Sequence, residues 1–240
     1  MKAKFLLTPG GFVSGSFPKS WRGKVGWASR PADLEPLIEL AKPLVKATIT
    51  RKVLDAARGR VQVISLGVDL FRNGDHEPHV ELVTLIDVAS GKNLGWTGKS
   101  YPTSDQEAAL VQVVDLKSHL FEVAGERALV LGCHDLNMWS PRGEANQRPG
   151  SVRSQRCQAM RQVARRFNPS VVLQHPHSTD SPRIWAISWG KLQRELPGLK
   201  AWASGIAHFS WDGSARAPLE NVLRTTRSEH GVHDIILAGG

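Results

Sequence analysis

Ala128-Leu129-Val130-Leu131-Gly132-Cys133-His134-Asp135-Leu136 decides how the rest of this chain is read. An apolar run ends at a glycine and a cysteine, and polar residues follow at once. The pattern predicts a buried strand that delivers a thiol to its own carboxyl end, which is where ligands bind in α/β folds. A thiol in that place is a nucleophile once a neighbour takes its proton. Taken alone, the strand fits a plain core cysteine better, because free cysteine is among the most buried residue types.

Outward from this strand, the chain alternates between apolar runs and helical periodicity. Lys2 to Thr8 reads as a strand closed by Pro9-Gly10-Gly11, and Ser14 to Ala32 as a surface loop rich in Gly, Ser, Pro and Trp. Leu34, Leu37, Ile38, Ala41, Leu44 and Val45 recur at helical spacing, with Pro43 expected to break or kink that helix. Thr48 to Ala57 continues helically. Val61 to Val68, Val80 to Val88 and Leu94 to Lys99 read as strands, the last two joined by a turn at Ser90-Gly91-Lys92. Leu110 to Val114 and His119 to Val123 read as short edge strands, and Ser170 to Leu173, Trp202 to His208 and Ile235 to Ala238 as later ones. Ser151 to Phe167 and Pro182 to Leu196 are predicted helices; Trp185 and Trp189, one turn apart, suit core packing. This order predicts a mixed sheet with helices outside it, in the α/β or α+β class, as a single domain over residues 1–240.

Composition narrows the setting. No apolar stretch is long enough to span a bilayer, and the run at Met1 to Leu7 is too short for a secretory signal. Two cysteines, Cys133 and Cys157, make no disulfide framework, so a cytoplasmic location is expected. The net charge of +9 is partly local: Arg142, Arg148, Arg153, Arg156, Arg161, Arg165 and Arg166 share their segment with a single acid, Glu144. Nucleic acid or another polyanion is one reading of Arg142–Arg166. A solvated helix face is favoured, because the aromatics that stack on single strands are absent.

With these residues placed, the chain resembles the carbon–nitrogen hydrolase (nitrilase) superfamily over roughly Lys4 to Phe209. The family's cysteine ends a strand in a pattern like Cys-Tyr-Asp-Leu-Arg-Phe-Pro; here Cys133-His134-Asp135-Leu136-Asn137-Met138-Trp139 is similar. Its lysine follows a strand and turn, and Asp87-Val88-Ala89-Ser90-Gly91-Lys92 with Gly98-Lys99-Ser100-Tyr101-Pro102 looks like that segment. A further family glutamate follows the lysine, at the place of Glu107. The resemblance implies an α-β-β-α sandwich with its first strand and helix reduced, a small-molecule amide or nitrile substrate, no cofactor and a homodimer. It implies Cys133 as nucleophile, Lys99 as the oxyanion's cation beside the His134 N–H, and Glu107 as proton carrier. Where the family carries its general-base glutamate, after Thr8-Pro9, this chain has Gly10.

That departure leaves alternatives open. His134, His175 and His177 are expected to contact substrate, and one of the latter two is a candidate for the missing base. His175-Pro176-His177 with Asp180, helped by His134 and Asp135, also has the residue types of a zinc site, which gives a metal-dependent hydrolase as one alternative. A binding module without turnover is the other.

Overall fold

Two short strands, β1 (Ala3–Leu7) and β2 (Val13–Ser16), lie one after the other along the same edge of β3 (Val61–Phe71), both parallel to it. β3 pairs antiparallel with β4 (Val80–Asp87), and β4 with β5 (Asn93–Gly98), which completes a five-stranded sheet. A second, four-stranded sheet is ordered β6 (Leu120–Val123), β7 (Glu126–Leu131), β8 (Val171–Gln174) and β9 (Ala201–Ser204). Its first pair is antiparallel and the others are parallel. The helices are α1 (Leu34–Thr48), α2 (Arg51–Ala57), α3 (Val152–Phe167), α4 (Pro182–Glu195) and α5 (Leu219–Thr225). This computed structural model describes residues 2–72, 77–140, 148–177, 182–207 and 217–237.

Strand periodicity sorts the side chains into layers, because successive residues face opposite sides of a sheet. Ile64, Leu66, Val68 and Leu70 of β3 pack with Leu82 and Ile86 of β4 against Leu37, Ala41 and Val45 of α1. The alternate residues Val63, Val83 and Leu85 meet Val130 of β7 between the two sheets. On the far side, Leu129, Leu131 and Val172 pack against Cys157, Met160 and Ala164 of α3 and Trp189 and Leu192 of α4. The order of layers is therefore helix, sheet, sheet, helix. Burial of these three apolar interfaces, at roughly 25 cal/mol per Å², is what holds the layers together.

Several local expectations are corrected. α1 runs through Pro43 to Thr48 without ending. Pro43 is exposed, so water can serve the carbonyl it leaves unpaired. The helical segment instead divides at Ile49, and the Thr50 side chain caps α2 by accepting from the Val53 N–H. Ser14 to Ser16, read as the start of a loop, belong to the strand Val13–Ser16, held by the edge of β3 rather than by its own residues. Leu110 and Val111 make isolated bridges to His79 and Gly26 instead of a strand. Residues Ile235, Ile236 and Leu237 are exposed and lie outside any strand. α5 went unread. Among the described residues no helix is long and apolar enough to cross a membrane.

Candidate active site

β7 ends at Leu131, and Gly132 to His134 turn directly into a 3-10 segment at Asp135–Trp139. Two contacts build this turn. A side chain on Gly132 would meet the Lys99 backbone at 2.6 Å, so only glycine lets the two chain segments approach. The buried Asp135 carboxylate then joins them: Oδ2 accepts from the Gly132 N–H at 2.8 Å, and Oδ1 from the N–H groups of Ser100 at 3.0 Å and Tyr101 at 2.8 Å. The cysteine turn and the lysine turn are thus fixed to one another through one side chain. Gln174, at the end of β8, donates to the Cys133 carbonyl at 2.9 Å.

The Cys133 sulfur lies 3.2 Å from Nδ1 of His177. On the other side of that ring, Nε2 is 2.5 Å from Oδ2 of Asp69. Asp69 comes from β3, where register pairs it directly with Glu81 of β4. Both carboxylates sit on the buried face between the sheets, and opposed like charges destabilise a strand pair unless they are compensated. Two cations compensate them. Lys99 donates from Nζ to Glu81 Oε1 at 2.8 Å and also to Gln106. His177 serves Asp69, and its Nδ1 stands 3.9 Å from Glu81 Oε2.

Mutual charge sets the protonation of this cluster. Burial alone would raise the Cys133 thiol, but the imidazoles of His134 and His177 and the Lys99 ammonium outweigh it and hold the thiol well below its ordinary value. Burial likewise opposes charge on His177, yet the Cys133 sulfur, Asp69 and Glu81 raise its pKa well above the ordinary histidine value. Glu81 is buried, which would raise it, but Lys99 and His177 bring it down to about 2. Burial would lower Lys99, and Glu81 and Cys133 reverse that and keep it protonated. The resulting arrangement is a thiolate beside an imidazolium, with a lysine–glutamate pair next to both.

His175 and His177, two residues apart, do different things. The His175 ring is buried and hydrogen-bonded through Nε2 to the Ser65 hydroxyl at 2.7 Å. Burial depresses its pKa to about 3, so it is neutral. The two imidazoles do not converge, and the metal pair read from His175-Pro176-His177 is not formed; Asp180 lies outside the described residues. Glu107 is held by Arg153, in an ion pair at the surface side of its turn. Its neighbour Gln106 is the residue of that turn that reaches Lys99 and Glu81. Asp69 and Glu81 were missed by sequence reasoning, although Asp69 is the one acid of β3 and Glu81 stands among apolar residues near the start of β4.

The chain is similar in structure to amidases of the nitrilase superfamily. A mutant of the Nesterenkonia AN1 amidase from that superfamily matches with 18% identity and a TM-score of 0.43, over 85% of this chain and 63% of that one. Another mutant of the Nesterenkonia sp. AN1 amidase, in which acrylamide has undergone Michael addition at the active-site cysteine, matches with 18% identity and a TM-score of 0.43, over 85% of this chain and 65% of that one. A third mutant, in complex with butyramide, matches with 17% identity and a TM-score of 0.39, over 67% of this chain and 56% of that one. This chain therefore spans less than two thirds of those amidases. No protein-family model and no curated protein sequence matches it.

The position of Gly10 acquires a physical account. Its N–H donates to the Pro176 carbonyl at 3.0 Å, which brings the loop after β8 over it. A Cβ at Gly10 would meet the His175 carbonyl oxygen at 2.7 Å and the His177 ring at 3.3 Å. The imidazole lies in the space into which a side chain at position 10 would project. A side chain at position 10 and the His177 imidazole therefore compete for the same space.

Four arginines of the basic segment make contacts within the molecule, while Arg148 and Arg166 are exposed. Arg156 donates to the carbonyls of Val113 and Val114, Arg161 to that of Met138, and Arg165 to Glu195. Arg153 holds Glu107 and stacks over Tyr101. Arg142 lies outside the described residues.

Proposed function

We propose that the protein hydrolyses a non-peptide C–N bond, in a small amide or nitrile, through a thioester on Cys133. The observation that carries this reading is the row Cys133–His177–Asp69, a nucleophile within reach of a base that is itself oriented by a carboxylate. For an amide, the Cys133 thiolate attacks the carbonyl carbon, and the carbonyl π electrons move onto oxygen. Lys99 gives two of its three N–H donors to Glu81 and Gln106. The third, with the His134 N–H, stabilises the oxyanion. As the oxyanion collapses, the C–N bond breaks and the His177 imidazolium gives its Nδ1 proton to the leaving nitrogen. Neutral His177 then takes a proton from water, which attacks the thioester; the carboxylic acid departs and the thiolate is restored. Asp69 holds the ring with Nε2–H toward itself throughout, so that Nδ1 is the nitrogen that moves protons.

The test is ammonia release from short aliphatic amides, together with mass-spectrometric trapping of an acyl adduct. An adduct on Cys133, and faster alkylation of Cys133 than of Cys157 by iodoacetamide, are the expected results. Equal, slow labelling of both thiols with no ammonia released would leave a binding module in place of an enzyme.

A further inference from the structure

We propose that the same cluster binds one thiophilic divalent cation such as zinc, held by Cys133 Sγ, His177 Nδ1 and Glu81 Oε2, and that this ion switches the nucleophile off. The binding half of this proposal does not depend on the hydrolase reading; the inhibitory half does. The three atoms come from three different elements and all lie within 4.8 Å of one another. Two of the separations are 3.2 Å and 3.9 Å. Tetrahedral zinc with ordinary bond lengths spaces such ligands about 3.3–3.7 Å apart, so closing on an ion asks for movement of no more than about 1.5 Å.

Two further features point to a ligand here. Glu81 Oε2 is buried and has no hydrogen-bond partner, although Oε1 of the same carboxylate is fully engaged. A buried carboxylate oxygen without a donor is uncommon, and a metal ion satisfies it. The second feature is Asp69. A metal-binding histidine usually gives its other ring N–H to a carboxylate, which fixes the tautomer and strengthens the ligand. His177 is already held that way, by Asp69 on Nε2, with Nδ1 facing the sulfur. The His177 side chain is 41% exposed, which gives an ion a route in and leaves the fourth position to water. Thiolate, imidazole and carboxylate together suit zinc or cobalt rather than magnesium or calcium. An ion on the sulfur occupies the lone pair that would attack substrate, so metal and substrate compete.

The full-length protein, cleared of metal by chelation, is titrated with cobalt(II) and followed by absorption, with zinc added as competitor. One equivalent of cobalt is expected to produce a thiolate-to-cobalt charge-transfer band that zinc abolishes. Cys133→Ala should remove the band and Cys157→Ala should leave it unchanged. Asp69→Asn is expected to weaken cobalt binding ~10–100-fold, as loss of an outer carboxylate does elsewhere. Glu81→Gln, checked for folding by circular dichroism, is expected to weaken it at least as much. The absence of a band, or a band unaffected by both Cys133→Ala and His177→Gln, overturns the proposal. Amide turnover that rises rather than falls with added zinc overturns its inhibitory half. Cobalt binding without any amide turnover leaves the metal site standing and removes the hydrolase reading alone.

Discussion

The two sheets meet at Cys133 with different contributions. The carboxyl end of the second sheet supplies the sulfur and the imidazole, Cys133 and His177, from turns after β7 and β8. The first sheet supplies fixed charge, with Asp69 and Glu81 on its inner face and Lys99 just past β5. In the proposed reaction the first set moves protons and bonds. The second set decides in which protonation state the first set waits. A cysteine at a strand end is common; a cysteine faced by a pre-arranged row of two carboxylates and an ammonium is not explained by packing. Charges in a buried layer are destabilising unless paired: Lys99 holds Glu81 low, while at Asp69 burial outweighs its partner His177 and raises the carboxyl above its ordinary value.

This division is broken most severely at the nucleophile. Cys133→Ala is expected to lower amide turnover by at least about 10⁴-fold, because no other group can form the thioester. Its fold should persist, since the substitution removes one buried atom, and circular dichroism checks that. Substrate affinity measured in that variant should survive. Retained turnover would place the chemistry elsewhere.

Lys99→Met attacks the charged row instead. The Lys99 side chain is 0% exposed and its partner Glu81 8% exposed, so removing the ammonium leaves a buried carboxylate uncompensated, at a cost of about 3–5 kcal/mol in stability. The pH dependence distinguishes this from simple loss of packing. In the native protein Glu81 is held down to about 2, below its unfolded value. It therefore contributes stability above the unfolded pKa, and loses it as pH falls toward about 2. Without Lys99 its pKa should rise above the unfolded value, so the variant should lose stability as pH rises. Denaturant melts from about pH 2, where native Glu81 titrates, to about pH 7, above a free carboxyl's titration, should show the slope reversed. Parallel slopes would mean that the pair does not control Glu81.

His177→Ala is expected to slow turnover ~10²–10⁴-fold, the usual worth of a general acid–base, and to raise the thiol's pKa. In the native protein, burial raises the thiol but His134, His177 and Lys99 lower it further, and this lowered pKa is expected to set the acid limb of the rate profile. The raised pKa of His177 sets the alkaline limb, with a plateau between them. In the variant the alkaline limb should vanish and the acid limb should move up. Iodoacetamide alkylation rates against pH report the thiol directly. His175→Gln is the control two residues away: that ring is neutral and turned to Ser65, so both limbs should stay where they are.

How much of this was legible in the sequence depends on what each residue needed to be recognised. Cys133 stood out because it follows an apolar strand at a sharp change in polarity, and strand ends are where sites form; Lys99 was reached only through the family resemblance. Element order gave the mixed sheet with helices outside it; the four-layer order came from the family resemblance, and it agrees with the apolar residues of β3 and β4 falling on both faces. Asp69 and Glu81 were not legible as a pair, because only the β3–β4 register sets them side by side. His177 was visible only as one of two histidines, and the choice between them rests on which way each ring turns after β8. β2 escaped because its Gly and Ser residues carry no strand propensity of their own; the neighbouring strand makes it one.

Glu107 offers the smallest and sharpest comparison. Spacing from Lys99 selects a turn, but consecutive residues in a turn diverge, and spacing cannot say which one looks inward. In the structure Gln106 bonds both Lys99 and Glu81, while Glu107 is bound by Arg153 and its side chain is 38% exposed. Pairs this exposed are worth about 0–1 kcal/mol. Glu107→Gln should therefore change stability by no more than about 1 kcal/mol and leave both limbs of the rate profile in place. Gln106→Ala removes an acceptor from a buried ammonium and a donor from Glu81, so it should cost about 1–3 kcal/mol in stability and lower kcat more than it raises KM. If Glu107→Gln proves the more damaging of the two, the proton-carrying role belongs to Glu107 after all, and the inner face of this turn has been assigned to the wrong residue.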